Sequence, residues 1–276
     1  MTTRRKFLLS TSGAAMVPLL TATLSACGGG SISLGTPISD AELKAQMIGK
    51  LTSGLNDASI ASTIQPYLMD IGFTWDLPQV PLLGVSSIVA YSFGNRPNAA
   101  SGNTSSSGGN QAAFPDPGPI NEELADAVHQ IYRLKPVRVF AQWEIASFLV
   151  SKYQMNSSDL YSVEPIIASD GTITYLSTAG VASAIVAVEG SAAAMGTVAV
   201  VGHRDHAKRC IQTSLAVGMN AFAVQGVTLP VNYDPLSGQP WTRNREIYLV
   251  HDMFAQIAEK VVTLTAQAYQ IGRAHV

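Results

Sequence analysis

The sequence predicts a three-layer α/β domain, in which helices cover both faces of a parallel β-sheet. Apolar β-branched runs, such as residues 85–92 and 197–201, are typical of strands that are buried on both faces. Strand and helix patterns alternate from residue 119 onward, as they do in parallel sheets. The chain has 276 residues, of which 47% are apolar and only 13% charged, so it can bury a large core.

Two helices and one strand precede the regular part of the pattern. We expect helices over residues 41–51, with Asp40 as the cap, and over residues 58–69. The apolar run at 85–92 is the first strand of the sheet. The first half of the chain is therefore predicted to contribute one buried strand and two helices.

A long polar segment follows the first strand. Residues 94–119 are rich in Gly, Ser, Asn and Pro, and residues 101–109 are of low complexity. Such a length is unusual for a plain connection and indicates a mobile lid or a disordered insert. The low complexity favours disorder at the centre of the loop.

The rest of the chain predicts four more strands separated by helices. The predicted helices cover residues 121–134, 144–153, 178–188, 203–217 and 245–268. The predicted strands cover residues 137–141, 165–168, 197–201 and 221–224. Gly218 follows the fourth of these helices, where a left-handed C-cap favours glycine. A single domain over residues 40–270 results.

Charge and cysteine content exclude some classes of function. The net charge is −2, so the chain lacks the basic character of a nucleic-acid-binding domain, and we expect no nucleic-acid partner. The two cysteines are Cys27 and Cys210. Because Cys27 belongs to an anchoring signal, described next, no intrachain disulfide is expected. Cys210 is predicted to pack in the core rather than to act as a nucleophile.

The N-terminus carries signals for export and for lipid attachment. Arg4 and Arg5 precede a modestly apolar stretch, residues 8–26, which is too interrupted to remain as a membrane span. The pattern Thr-Arg-Arg-x-Phe-Leu resembles the twin-arginine export signal. Leu-Ser-Ala-Cys27-Gly resembles the lipobox of bacterial lipoproteins, in which the cysteine becomes the lipidated N-terminus. The alternative is an ordinary secretory signal with a chance cysteine.

These signals imply an address in the bacterial cell envelope. Residues 1–26 would form the cleaved signal peptide, and residues 27–39 a flexible tether. The expected partners are the twin-arginine export machinery and a membrane, reached through the lipid on Cys27. Gly28 is not the aspartate associated with retention at the inner membrane, which favours the outer membrane and a face toward the periplasm.

The last six residues, 271–276, read Ile-Gly-Arg-Ala-His-Val. A common sequencing-adapter sequence encodes these residues when it is read in frame. We therefore expect adapter read-through here, with a frayed natural tail as the alternative, and assign His275 no role.

The stretch VGHRDHAKRC, residues 201–210, concentrates charge at the end of a predicted strand. In open parallel sheets, ligands bind beyond the carboxyl ends of the strands. Unpaired amides at the start of the following helix form an anion site, and Arg204, Lys208 and Arg209 add positive charge. Since cations are mildly unfavourable at a helix N-terminus, a negative partner is indicated. It is either a bound phosphate or Asp205 with neighbouring carboxylates.

Candidate reactive groups lie at the same predicted edge. His203 is at the strand end, His206 shares a helix face with Arg209, and Glu144 follows the second of the long strands. Because strand ends converge on one crevice, Glu144 and His206 are the candidate acid and base, and Arg209 with the helix amides would hold an anion. Asp252, on the last helix, is interpreted as part of its polar face.

One block of this sequence resembles a known family. A strand, Gly202 and then His206-Ala-Lys-Arg209 resemble the His-x-x-Arg block of the YdcF-like family, domain of unknown function 218. Cys210 stands where the family has alanine. The strand that ends at Gly94 is similar to the first block of that family, although only one glycine of a usual pair remains.

Three further blocks follow in the family's order. Glu144 matches a glutamate after the second strand, where Trp143 replaces a glycine. Ser177-Thr178 matches a Ser-Thr dipeptide before a helix, and Arg245-Glu246 matches the start of the last helix. The resemblance covers about residues 85–260. Together with residue chemistry, it implies ligand-binding roles for Gly94, Ser177, Thr178, Gly202, His203, Arg204 and Arg209.

The resemblance implies a Rossmann-like fold and a place in envelope biogenesis. Some family members are reported to bind S-adenosylmethionine, and others are linked to lipid-carrier intermediates. Trp143 stands where a glycine would let a ligand approach the backbone, which argues against S-adenosylmethionine here. The sequence does not identify a cofactor.

Three hypotheses for function remain open. The first is an envelope lipoprotein whose Rossmann-like domain binds a phosphate-bearing or nucleotide-like ligand, such as a lipid-carrier intermediate. The second is a non-catalytic envelope scaffold with a degraded site. The third is a metal-dependent hydrolase that uses His203 and His206. Whether the chain is an enzyme is left open by these patterns.

Overall fold

A computed structural model describes residues 38–101 and 114–269. The predicted signal peptide, Cys27 with most of the tether, the centre of the polar loop and the C-terminal hexapeptide lie outside the described residues. The chain divides into two compact units, Met1–Leu43 and Lys44–Val276. In the first unit, the Ser39 hydroxyl accepts a hydrogen bond from the N–H of Glu42 at 3.2 Å. Ser39, and not Asp40, therefore caps the first helix.

Seven α-helices and eight strands are found in the described residues. The helices are α1 (Asp40–Leu55), α2 (Ala58–Phe73), α3 (Pro119–Leu134), α4 (Trp143–Ser151), α5 (Thr178–Glu189), α6 (Ala207–Ala216) and α7 (Arg245–Tyr269). The strands are β1 (Gln79–Val80), β2 (Ser87–Ala90), β3 (Arg138–Gln142), β4 (Leu160–Val163), β5 (Ile166–Ile167), β6 (Ile173–Thr174), β7 (Thr197–Val201) and β8 (Asn220–Val224).

Six of these strands form one parallel sheet in the order β1-β8-β7-β2-β3-β4. β2 is central: Ile88 pairs with Val139 of β3 on one side and with Ala199 of β7 on the other. The strands are short and apolar because both of their faces are covered. The expected parallel sheet is confirmed.

Helices cover the two faces of the sheet and produce three layers. On one face, Ile88 and its neighbours pack with α3, α4 and Tyr248 of α7. On the other face, Val89 and its neighbours pack with α5 and α6, where Cys210 is buried as predicted. The alternation of side chains along each strand sends successive residues into the two cores. The Rossmann-like three-layer fold follows from this arrangement.

One strand was predicted in the wrong place. Residues 165–168 do not join the main sheet: Ile166–Ile167 pairs with Ile173–Thr174 in a separate antiparallel hairpin, and both isoleucines are exposed. A turn joins these two strands, with Gly171 at φ 84°. The fourth strand of the sheet is instead Leu160–Val163. Apolar character at residues 165–168 was therefore not a sign of burial in the sheet.

The helix after β7 also differs from the prediction. α6 begins at Ala207 rather than at His203, and residues 204–206 form a turn. Gly218 follows it at φ 91°, the left-handed conformation that was expected. Arg204 therefore lies before the helix and not in its first turn. Among the described residues, no helix combines the length and the apolar character that crossing a bilayer requires.

Candidate functional site

The carboxyl ends of β2 and β7 form the topological switch point of the sheet. From β2 the chain adds β3 and β4 on one side, and β7 and β8 then form on the other. The loops after β2 and β7 consequently run in opposite directions, at the position in the fold where open α/β sheets bind ligands. Residues 92–95 and 202–206 lie at this point. The charged stretch identified in the sequence is thus at the expected position in the fold.

Aromatic rings fill the base of the switch point. The rings of Phe93 and His203 are stacked, with 4.0 Å between centroids and 14° between planes. Tyr248 and Tyr233 pack around the ring of Phe93 at 4.6 Å and 5.6 Å. Phe93, His203 and Tyr248 are buried. The switch point is therefore closed at its base by a packed aromatic cluster.

Two glycines allow close packing at the strand ends. Gly94 has φ 72°, and a Cβ there would lie 2.6 Å from the Ser237 hydroxyl and 2.7 Å from that of Thr242. A Cβ at Gly202 would lie 3.1 Å from the sulfur of Cys210. Both glycines, predicted to contact a ligand, are needed here for packing against protein atoms.

His203 is neutral, and both of its ring nitrogens form hydrogen bonds. Its Nε2 lies 3.0 Å from the Asn232 carbonyl oxygen and donates to it, while Nδ1 accepts from the N–H of Asp205 at 3.3 Å. Burial lowers the pKa of His203 to about 4. Binding a metal would break one of these hydrogen bonds. Within residues 38–101 and 114–269, no group of three His, Cys, Asp or Glu side chains is placed to hold a metal ion.

Asp205 is clamped by three donors. Arg204 and Arg245 each place Nε 3.0 Å from a carboxylate oxygen, and the Tyr233 hydroxyl donates at 2.8 Å. Burial of Asp205 opposes ionisation, but hydrogen bonds from Arg204, Tyr233 and Arg245 outweigh it and lower the pKa to about 2. Arg204 was predicted to contact a ligand, and its charge is instead paired with the adjacent carboxylate.

Arg209 lies in a buried polar network. Its Nε donates to Asp252 Oδ1 at 2.6 Å, Nη1 donates to the Thr178 hydroxyl at 2.9 Å, and Nη2 reaches the Tyr248 hydroxyl at 3.4 Å. Gln256 donates to the other Asp252 oxygen at 2.8 Å. Three of the five N–H groups of Arg209 therefore have partners among the described residues.

His206 faces the same carboxylate without bonding to it well. Its Nδ1 lies 3.5 Å from Asp252 Oδ1, which is long for a hydrogen bond. Burial and the charge of Arg209 lower the pKa of His206 to about 4, so the imidazole is neutral at pH 7. The interpretation of Asp252 as part of an exposed polar face was wrong, because its side chain is 0% exposed. The polar face of α7 points into the domain at this turn.

Glu144 lies at the start of α4, just after β3, and is buried. Burial raises its pKa to about 7, although the side chains of Asn95 and Ser92 partly oppose this shift. Its Oε2 has no hydrogen-bond partner, and neither has Asn95 Oδ1. The Gln142 amide oxygen accepts from the N–H of Ser92 at 2.7 Å and joins the ends of β2 and β3. Glu144 is thus half protonated near neutral pH.

Glu144 and His206 lie in two separate clusters of side chains at the carboxyl ends of the strands. The start of α5 and the residues before it link them: Tyr175 is near enough for the charge of Glu144 to raise its pKa, and Thr178, the first residue of α5, accepts from Arg209. The structure gives no direct contact between Glu144 and His206. A ligand that reached both groups would have to lie across the switch point.

Other residues at this edge have structural roles. The Ser177 hydroxyl accepts from the N–H of Gly180 at 3.1 Å and caps α5, which accounts for this residue without a ligand. Asn121 was not predicted: its side chain accepts from the N–H of Phe93 at 2.8 Å and donates to the Gly94 carbonyl. Nothing in the sequence marks Asn121 as buried, since the charged Glu122 and Glu123 follow it directly.

Comparison with protein-family models and with curated proteins identified no relative of this chain. No protein-family model matches the chain, and no curated protein matches it. The assignment of function therefore depends on the geometry of the switch point.

Proposed function

We propose that this chain is an envelope lipoprotein whose Rossmann-like domain binds a small phosphate-bearing or nucleotide-like ligand across the switch point. One observation carries the proposal. Four buried side-chain atoms that lack a hydrogen-bond partner among the described residues lie at this edge: Asn95 Oδ1, Trp143 Nε1, Glu144 Oε2 and His206 Nδ1. Each such atom costs about 1–3 kcal/mol if it stays unpaired. A polar ligand supplying donors and acceptors would offset that cost.

The anionic part of the ligand would lie at the start of α6. The N–H groups of Lys208 and Arg209 are in the first turn of that helix, where amides point toward solvent and favour an anion. The two N–H groups of Arg209 that have no partner among the described residues would be further donors to that ligand. Because Asp252 already neutralises the guanidinium, Arg209 would act through hydrogen bonds and contribute little net charge.

Glu144 and His206 would serve as acid and base. With a pKa of about 7, Glu144 is partly protonated at neutral pH and can donate a proton to a leaving oxygen. His206, neutral at pH 7, can accept a proton from an attacking water or hydroxyl. Hydrolysis or transfer at phosphate is the reaction class that this pair supports.

S-adenosylmethionine does not fit this edge. The Trp143 indole is buried at the turn after β3 and stacks on Phe114 with 4.9 Å between ring centroids. It occupies the place where a glycine would let a ligand approach the backbone. We assign this cofactor no part in the proposed function.

Ligand binding is tested by thermal shift and calorimetry with inorganic phosphate, a nucleoside diphosphate and a polyprenyl phosphate. We expect at least one of them to raise the melting temperature. Glu144→Gln should keep binding and lose turnover, and the exposed Asp76→Asn, before β1 and so at the opposite edge of the sheet, should keep both. If none of the three compounds shifts the melting temperature, the proposal is wrong.

A non-catalytic scaffold is the second candidate, and the charge pairing at the switch point favours it. Arg204 and Arg245 pair with Asp205, and Arg209 pairs with Asp252. A polar network satisfied in this way can hold a fold together without a ligand. Binding without any turnover, or neither, would favour the scaffold over the enzyme.

The lipid anchor is a separate part of the proposal. Cys27 follows a lipobox-like sequence, and the paired Arg4 and Arg5 precede it. Cells grown with labelled palmitate should incorporate label into the wild type and not into Cys27→Ser. Export that persists after Arg4→Lys and Arg5→Lys would indicate the general secretory route.

A further inference from the structure

The outer face of α7 carries a regular stripe of exposed apolar side chains. Along this helix of 25 residues, apolar residues recur at spacings of 3, 4, 3, 4 and 3. Their exposed fractions lie between 37% and 69%. We name these six residues the α7 stripe: Ile247, Val250, Phe254, Ile257, Val261 and Leu264.

The stripe lies on the side of α7 away from the domain. Tyr248, Asp252 and Gln256, one turn apart from each other, are buried against the domain. At 100° per residue, Val250, Phe254 and their companions face the opposite direction. The stripe is therefore not part of the core of the domain, and in the described part of the chain it faces open solvent.

The spacing identifies the kind of partner that the stripe fits. Alternation of 3 and 4 residues is the heptad pattern with which one helix packs against another. The aliphatic residues Val250, Ile257 and Leu264 occupy one of the two core positions, and Ile247, Phe254 and Val261 occupy the other. None of the six is polar, so a partner must offer an apolar stripe of similar length and spacing.

We propose that the partner is the α7 stripe of a second copy of this chain, in a two-fold symmetric dimer. Each stripe exposes on the order of 600 Å², so two copies would bury about 1,200 Å², the lower bound for stable interfaces. Residues 247–264 extend over about 26 Å, enough for several layers of side chains. In a two-fold symmetric dimer each residue contact occurs twice, and both copies use the same surface. A second copy of this chain therefore presents an apolar stripe of the required length and spacing.

Charge distribution disfavours a membrane as the occupant. Helices that lie on membranes carry many Lys and Arg residues on their polar face. The cations of α7 are Arg245, whose Nε is 3.0 Å from Asp205, and Lys260, whose Nζ is 3.7 Å from Asp70. Both are thus paired within the domain, so α7, which is described over its whole length, has no unpaired Lys or Arg to offer to a membrane.

The test compares two substitutions on α7. The full-length chain, with Cys27→Ser to prevent lipid attachment, is examined by sedimentation equilibrium. Phe254→Lys lies in the stripe, and Val262→Lys lies outside it, although Val262 and Phe254 are both 69% exposed. We expect a dimer for the parent and for Val262→Lys. Phe254→Lys should raise the dimer dissociation constant about 100-fold, because it places two like charges in the interface.

Folding is checked for each variant by circular dichroism, and Val250→Lys serves as a second stripe variant. Equal loss of the dimer in Phe254→Lys and Val250→Lys, with unchanged melting temperature, supports the proposal. A parent that is monomeric at all concentrations overturns it, as does a dimer that Val262→Lys weakens as much as Phe254→Lys does. Flotation of a monomeric parent with phosphatidylethanolamine–phosphatidylglycerol vesicles would identify a membrane as the occupant instead.

Discussion

Arg209 and Asp252 form a buried ion pair that joins α6 to α7, with Nε and Oδ1 2.6 Å apart. Asp252 is completely buried, and it is also bonded to Tyr248 and Gln256. Burial opposes ionisation of Asp252, but His206 and Arg209 outweigh this and hold its pKa below the ordinary value. The arginine of the His-x-x-Arg block is therefore first of all a partner for this carboxylate.

Removing Arg209 should strongly destabilise the domain. Arg209→Met leaves the Asp252 carboxylate buried without its main partner, which costs about 3–5 kcal/mol. The free energy of unfolding in urea measures the loss. Arg138→Met is the matched control: its partner is Glu189 at 2.7 Å, its own side chain is half exposed, and the loss should be below about 1 kcal/mol. Equal losses of unfolding free energy in the two variants would show that the buried ion pair contributes no more to stability than the half-exposed one.

Glu144 should make the domain less stable as pH rises. Its pKa goes from an ordinary value of 4.5 to about 7 on folding, so the folded state binds the proton more tightly. This stabilisation is complete below pH 4.5 and is lost as pH rises through 7. It amounts to about 3 kcal/mol at most. Glu144→Gln should remove this part of the pH dependence, and unfolding free energies at pH 5 and pH 8 measure it.

The control for that experiment is Asp76→Asn, which should keep the pH dependence of the wild type, because Asp76 is exposed and lies before β1, at the opposite edge of the sheet from Glu144. If the difference between pH 5 and pH 8 is the same in Glu144→Gln as in the wild type, the carboxyl is not shifted. The histidines act in the opposite sense and at lower pH, so their contribution cancels in the comparison of variants at these two values.

His203 and His206 should stay neutral down to about pH 5. Burial lowers the pKa of each to about 4, from an ordinary value of 6.5. The stability that depends on the neutral forms is therefore present above pH 6.5 and is lost as pH falls toward 4. Nitrogen-15 chemical shifts of the imidazoles measure the charge, and for His203 they should report hydrogen on Nε2. An imidazolium at either residue at pH 6 would contradict this.

The fold could be predicted from the sequence because its strands are buried on both faces. The run at residues 197–201 matches β7 in both bounds, and Gly218 adopts the expected left-handed conformation. The hairpin of β5 and β6 could not be distinguished in the same way, since Ile166 and Ile167 are apolar and yet exposed. Composition alone does not tell a short exposed strand from a buried one.

The site could be predicted only as a place in the fold. Position after β7 was sufficient to locate His203 and His206 at the switch point. The pairing of Arg209 with Asp252 was not accessible, because the two residues are 43 positions apart and meet only when α7 packs on the domain. Whether a cation meets a ligand or a carboxylate of its own chain depends on such long-range contacts.

Gly94→Ala should destabilise the domain by more than its backbone conformation alone requires. At φ 72° a side chain is strained by about 1 kcal/mol or more, and the new Cβ would also overlap the Ser237 and Thr242 hydroxyls at 2.6 Å and 2.7 Å. Gly226→Ala is the control, because Gly226 has φ 77° and no atom within 4 Å of an added Cβ. The difference in unfolding free energy between the two variants measures the overlap, and we expect about 2 kcal/mol. A difference near zero would mean that the loop at residues 237–242 moves freely, and that Gly94 is not what holds it against β2.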